Sequence, residues 1–134
     1  MNELDKRDLS HTIIEAAIEV HRLLGGPGLI ESVYESALCH ELTLRGIQNQ
    51  RQLAVPVVYK GIPVREPLFL DILVAKKVVV EVKALGKDNP YFQAQVATYL
   101  RLTGLKEGLL IDFGKGLLKD GISRIINDHQ SPGL

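Results

Sequence analysis

Asp71, Glu81 and Lys83 are the residues whose types and spacing could do chemistry. They fall within residues 68–85, LFLDILVAKKVVVEVKAL, two apolar runs joined at Ala75-Lys76-Lys77, where a buried strand ordinarily carries no charge. Side chains alternate faces along a strand. Leu70, Ile72 and Val74 therefore share one face, and Asp71 points to the other with Phe69 and Leu73. On the return strand Val78, Val80, Val82 and Ala84 share a face, and Glu81 and Lys83 project together on the opposite one. A hairpin pivoting near Lys76 sets Asp71 across from Glu81, because both are equidistant from that residue. Two carboxylates and one ammonium then converge on an apolar sheet. Opposed like charges destabilise a sheet, and a divalent cation is the simplest group to offset them. A purely structural arrangement is the other option: Asp71 paired with Lys83, and Glu81 with Lys76 or Lys77, as exposed cross-strand ion pairs worth roughly 0.2–1 kcal/mol.

These residues carry a resemblance. Asp71 followed by Glu81-Val82-Lys83 resembles the D…ExK signature of the PD-(D/E)XK nuclease superfamily. Gly28-Leu29-Ile30-Glu31-Ser32-Val33-Tyr34 is similar to the GxxExxY motif of one family within it. Gln95 and Tyr99, in QAQVATYL, resemble the Q…Y helix that follows E-x-K there. The order and spacing agree from about Leu9 to Asn127. The resemblance implies an αβββαβ core with an extra N-terminal helix. It implies a Mg²⁺ (or Mn²⁺) site held by Asp71, Glu81 and the Val82 carbonyl, with Glu31 as an extra acid. Lys83 would serve the nucleophile, Gln95 and Tyr99 would position water or phosphate, and Tyr34 would join them in binding substrate. The family's basic or polar residue ahead of the aspartate is replaced by Phe69-Leu70, which removes a phosphate contact from that place.

Several elements must position these groups. Ser10 to about Leu24 reads as an amphipathic helix, Ser10 as N-cap and Ile13, Ala17, Val20 and Leu24 at helical spacing. His21 lies on the same side, where a lone histidine is ordinarily a hydrogen-bonded core residue. No histidine stands at zinc-ligand spacing with another or with Cys39. Gly25-Gly26-Pro27-Gly28 reads as a tight helix–helix turn; the functional alternative is a phosphate seat at the next helix N-terminus. The second helix, about Leu29 to Arg45, has one apolar stripe of Val33, Ala37 and Leu44 and another of Leu38 and Leu42. Glu31 falls on the second stripe, which turns it inward, unlike the surface charges Glu35 and Glu41. Tyr34 is either a partner of carboxylate or phosphate, or a core aromatic with its hydroxyl at the rim.

Gln52 to Tyr59 reads as a strand, and Lys60-Gly61 as a turn into Ile62–Val64. Pro56 and Pro63 favour edge positions or strand starts. After the central hairpin, Asn89 is an N-cap with Pro90 at the first helical position. That helix runs to about Thr103, ends at Gly104, and holds Gln95 and Tyr99 on one face. Leu105 to Phe113 reads as a strand. The tail, Leu117 to Asn127, is open between strand and helix, with Ile122, Ile125 and Ile126 on the core and fraying from about Asp128. The class is α/β, a mixed central sheet flanked by helices.

At 134 residues the chain is one domain, residues 1–134 with an ordered core of about 9–127. Sixteen basic and sixteen acidic residues cancel, which argues against a strongly basic nucleic-acid coat and leaves room for a local patch. The lone Cys39 excludes an internal disulfide, and with the polar N-terminus and no apolar run of membrane length the expected setting is the cytoplasm. The resemblance implies a divalent-metal-dependent phosphodiesterase acting on DNA or RNA. The alternative is a metal- or nucleic-acid-binding or assembly module that keeps the fold without turnover. A homo-oligomer is compatible with both.

Overall fold

A computed structural model describes residues 3–128. The helices are α1 (Glu3–Leu23), α2 (Glu31–Leu44) and α3 (Pro90–Thr103). The strands are β1 (Asn49–Val55), β2 (Val58–Tyr59), β3 (Ile62–Pro63), β4 (Leu68–Val74), β5 (Val78–Lys83), β6 (Glu107–Asp112) and β7 (Ile122–Ile126). Five strands form one sheet in the order β1-β4-β5-β6-β7. The β5–β6 pair is parallel and the other neighbours are antiparallel. The parallel pair follows from the α3 crossover, since parallel neighbours need a long connection and antiparallel ones only a turn. β2 and β3 form a separate small hairpin with both faces in solvent.

The sheet divides the core in two. Leu9, Ile13, Ala16, Ala17 and Val20 of α1, with Tyr34, Leu38 and Leu42 of α2, pack on Ile72, Val74, Val78, Val80 and Val82. Val96, Tyr99 and Leu100 of α3 cover Leu73, Val79, Leu110 and Leu70 on the other face. α3 starts and stops as the sequence dictates. Asn89 accepts a hydrogen bond from the Tyr91 N–H, Pro90 follows it, and Gly104 closes the helix in the left-handed region.

The structure corrects several expectations. α1 begins at Glu3, so Ser10 is no cap; it lies buried inside the helix, its hydroxyl without a hydrogen-bond partner. Leu24 lies beyond the helix and is partly exposed. On α2 the Val33 and Leu44 stripe faces solvent, because the helix packs through Tyr34, Glu35, Leu38, Cys39 and Leu42. The expected strand from Gln52 to Tyr59 breaks at Pro56, which has no N–H to continue a ladder. Ile122 and Ile125 pack on the core, but Ile126, the last residue of the edge strand β7, is exposed. The expected fraying from about Asp128 falls on residues 129–134, which lie outside the described residues. His21 is buried as expected, with Nε2 hydrogen-bonded to the Lys115 carbonyl at 2.9 Å.

Two loops meet at the end of the sheet where Lys83 lies. A Cβ on Gly86 would fall 2.7 Å from the Gly114 carbonyl oxygen, and one on Gly114 would run into the Gly86 nitrogen. Backbone cannot yield there as a side-chain tip could. Gly114→Ala is therefore expected to destabilise the fold by roughly 1–3 kcal/mol, read as a lower urea midpoint with unchanged slope. An unchanged midpoint would show that the two loops do not hold this contact in solution.

Candidate functional site

The hairpin pivots where the sequence places it. Ala75 and Lys76 take positive φ in the turn, and Val74 pairs with Val78, Leu73 with Val79 and Ile72 with Val80. Continuing that register sets Asp71 opposite Glu81. There the β4–β5 ladder stops and the two side chains take over as acceptors. The Asp71 N–H donates to Glu81 Oε1 at 2.9 Å, and the Val82 N–H donates to Asp71 Oδ2 at 2.9 Å. The two carboxyl groups thus face each other across the gap, and the charge of Asp71 bears on Glu81. A strand residue sends its N–H and C=O to the same side, so the Val82 carbonyl faces this same gap.

The faces around Asp71 differ from simple alternation. Ile72 and Val74 face α1 and α2, whereas Leu70 faces α3. The switch occurs at Asp71, across from Gln52, which sits inside β1 at a φ of 50°. Paired residues flank both positions (Arg51 with Ile72, Leu53 with Leu70), and the pair between them is missing from the ladder.

Electrostatics follow from burial. Glu81 is only 3% exposed. Burial, then the neighbouring Asp71 charge, pushes its carboxyl up to about 8, against a partial offset from Lys83. Asp71 is also raised, chiefly by burial, with the Val82 N–H opposing. Glu31 is exposed as a residue and stands at the rim, not turned inward as expected. Its pKa is raised by partial desolvation, and it feels Lys83, Asp71, Glu35 and Asp112. It stands in the first turn of α2.

Lys83 leaves the same strand two residues beyond Glu81. Its ammonium lies 4.6 Å from the centre of the Phe92 ring, at the start of α3. Asp71 takes its bonds from the Val82 N–H and Gln52, and the alternative ion pair with Lys83 is not among the ion pairs of the described residues. A cavity of about 100 Å³ opens beside Lys83, lined also by Lys87, Asn89, Phe92, Gln93 and Asp112. Tyr99 is buried and donates to the Phe69 carbonyl at 3.1 Å. Desolvation, then the Glu81 charge, raises its pKa, so it stays a donor at neutral pH. Gln95 is half-buried, one turn before it on the same face of α3.

Tyr34 lies elsewhere. It is fully buried and stacked on Phe113 with centroids 4.7 Å apart. Its hydroxyl donates to the Gly26 carbonyl at 2.7 Å and accepts from the Leu29 N–H at 3.2 Å. The core alternative for this tyrosine is the one observed, and it ties the glycine turn between α1 and α2 to the top of α2.

Three residues at the site were not anticipated. Glu35, expected at the surface, is buried, and its carboxylate takes Arg51 Nη2 and Gln52 Nε2, each at 2.8 Å. Gln52 also donates to Asp71 Oδ1 at 3.3 Å. Asp112 accepts from the Leu85, Gly86 and Gly114 N–H groups and pins the loops after β5 and β6. Glu35 was findable: it stands three residues before Leu38 and seven before Leu42, on the stripe that is buried.

Two facing acids, Glu81 buried and Asp71 half-buried, make an all-oxygen donor set with the backbone carbonyl in the same gap. It suits Mg²⁺ or Mn²⁺, since magnesium is commonly held by one or two carboxylates and keeps waters. Among the described residues no three His, Cys, Asp or Glu side chains form a ready-made cage. The fit therefore rests on the acid pair and the carbonyl, with Glu31 within electrostatic reach. None of the helices described is long and apolar enough to cross a membrane.

No curated protein and no solved structure gives a significant match to the chain. A family model described as the PD-(D/E)XK nuclease superfamily matches residues 7–125. That span takes in Glu31, both acids, Lys83 and the α3 pair, on a five-stranded mixed sheet with helices on both faces. By its sequence match and its fold, this chain belongs to the PD-(D/E)XK nuclease superfamily.

Proposed function

We propose that the protein is a divalent-metal-dependent phosphodiesterase acting on nucleic acid. The observation that supports this most is the acid pair at the end of the β4–β5 ladder, with Lys83 on the same strand. Charged acids held against each other, one of them buried, destabilise the metal-free fold. Asp71, Glu81 and the Val82 carbonyl would hold Mg²⁺ or Mn²⁺, and Glu31 would complete the set from α2. Such an ion, when bound, lowers the pKa of a coordinated water and stabilises negative charge at phosphorus.

The chain's own groups have distinct tasks in this reading. Lys83 cannot ligate a cation. Its ammonium, steadied over Phe92, would donate to the attacking water or to a phosphate oxygen as charge builds there. Tyr99 keeps its proton and fixes the edge of β4 through the Phe69 carbonyl; with Gln95 it would orient water or phosphate. Tyr34 supports the site only through the α1–α2 turn. The segment from Gly28 to Tyr34 points to the GxxExxY branch of the superfamily.

A binding or assembly module that holds metal or nucleic acid without turnover is favoured by one observation. Phe69, 52% exposed, stands just ahead of Asp71 where a phosphate-binding side chain would serve catalysis. A cleavage assay on single- and double-stranded DNA and RNA with Mg²⁺, Mn²⁺ or Ca²⁺ separates the two readings.

Metal binding itself is tested by thermal melting. A ligand that binds only the folded state adds about 2.7 kcal/mol at a hundredfold excess over its Kd. Millimolar Mn²⁺ should raise the melting temperature of the wild type by several degrees and leave Asp71→Asn nearly unmoved. Without metal, Asp71→Asn should melt at the wild-type temperature or higher, because one of two repelling acids is gone. An equal rise with Mn²⁺ in both proteins would assign the binding to another place and end the metal reading.

A further inference from the structure

Among the described residues, four non-glycine residues have positive φ. Lys60, Ala75 and Lys76 are in hairpin turns, where this is ordinary, whereas Gln52 lies inside β1. A side chain in the left-handed region is strained, and glycine would take the same conformation without strain. Strain held at a site invites a functional explanation, and here the side chain supplies one. The Gln52 amide nitrogen has two hydrogens. One goes to Glu35 Oε1 at 2.8 Å and the other to Asp71 Oδ1 at 3.3 Å. Two carboxylates fix which way the amide faces, since its oxygen would repel either.

Glu35 is the anchor of this arrangement. It is buried on α2 and held by Arg51 Nη2 at 2.8 Å. Asp71 is thus gripped from both neighbouring strands: by Gln52 of β1 on one oxygen, and by the Val82 N–H of β5 on the other. These two bonds hold one oxygen each and so set the plane of the carboxylate beside Glu81. The geometry points to Gln52, braced by Glu35, as a positioning residue that aims Asp71 at a divalent cation. This rests on the reading of Asp71 as a metal ligand. Partners of this kind, hydrogen-bonded to a ligand and not to the ion, typically change metal affinity 10–100-fold.

The test is a calorimetric Mn²⁺ titration of the full chain without nucleic acid, on wild type, Asp71→Asn, Gln52→Gly and Gln52→Asn. Gln52→Gly relieves the backbone and removes the amide. If the position matters only for its bend, this variant should bind Mn²⁺ like wild type, and that result would overturn the inference. The expected result is binding weakened about 10–100-fold in a protein that melts near the wild-type temperature. Gln52→Asn covers the case in which glycine loosens the strand. Asparagine is at ease in the left-handed region and keeps an amide, but it is too short to span both carboxylates, so the same weakening is expected. A wild type that binds no Mn²⁺, or binds it equally after Asp71→Asn, would instead sink the metal reading on which the inference stands. Wild-type affinity in both Gln52 variants, with Asp71→Asn deficient, would remove only the positioning role.

Discussion

Lys83→Met is expected to lower metal-dependent cleavage by roughly a hundred- to a thousandfold, the usual loss when one preorganised electrostatic group is removed. Mn²⁺ binding should stay at wild-type strength or tighten, since a competing cation leaves the neighbourhood of Glu81. Methionine keeps the aliphatic stem, and its thioether can still rest on the Phe92 ring that now faces the ammonium at 4.6 Å. The folding cost is then mainly the lost cation–π contact, about 0.5–1 kcal/mol. The alternative role for Lys83 is to neutralise the acid pair in the absence of metal. In that case the variant would be markedly less stable without metal, would recover when Mn²⁺ is added, and would cleave normally. Single-turnover rates and melting curves on the same preparation separate the outcomes, and undiminished cleavage by a folded variant removes this lysine from the mechanism.

Raising the pH from 5 to 8 should destabilise the metal-free protein, and Glu81 should be the main cause. In the unfolded chain this glutamate titrates near 4.5; in the fold, burial and Asp71 push it up to about 8. Between those values the folded state holds a proton that the unfolded state has released. Stability therefore falls as pH rises through the window and levels off above the folded value. Asp71 is raised in the same direction, chiefly by burial, so its contribution has the same sign. Each tenfold difference in proton affinity between the two states is worth about 1.4 kcal/mol, so the change is of the order of a few kcal/mol. For a domain of this size that is around ten degrees in melting temperature. Ordinary salt-bridged carboxylates act with the opposite sign and below this window. Glu81→Gln should flatten the slope, and saturating Mn²⁺ should reverse it, because the ion takes the place of the proton the folded state holds on Glu81. Superimposable pH profiles for wild type and Glu81→Gln would refute the assignment.

What was legible in the sequence was whatever rests on neighbours along the chain. The hairpin pivot followed from counting outward from Lys76, and α3 from Asn89, Pro90 and Gly104, each with its own local reason. The match of the hairpin and its lysine to a family signature then carried the superfamily and the fold. What stayed hidden depends on groups brought from elsewhere. Glu35 is drawn inward by Arg51 and Gln52 of β1, and no local pattern names those partners, although its spacing to Leu38 and Leu42 pointed to the buried stripe. The turn of Leu70 away from Ile72 follows from a left-handed glutamine on the next strand, which alternation along β4 cannot register. Ser10 offered a capping side chain, but the buried stripe of α1 continues past it to Leu9, and the helix runs on. Tyr34 had two readings until Phe113, far along the chain, was seen to stack on it.

The hairpin turn lies at the far end of β4 and β5 from the acids, and pairing is counted outward from Val74 and Val78. Asp71 meets Glu81 because the two arms leading away from that pair are equal in length. The residues between the arms play no part in the match. Kindred chains can therefore shorten or lengthen the turn while their acids stay opposed, whereas one residue inserted into a single arm swings an acid to the other face. A search pattern for such chains is better written as two matched arms around a gap of free length than as a fixed distance between the aspartate and E-x-K.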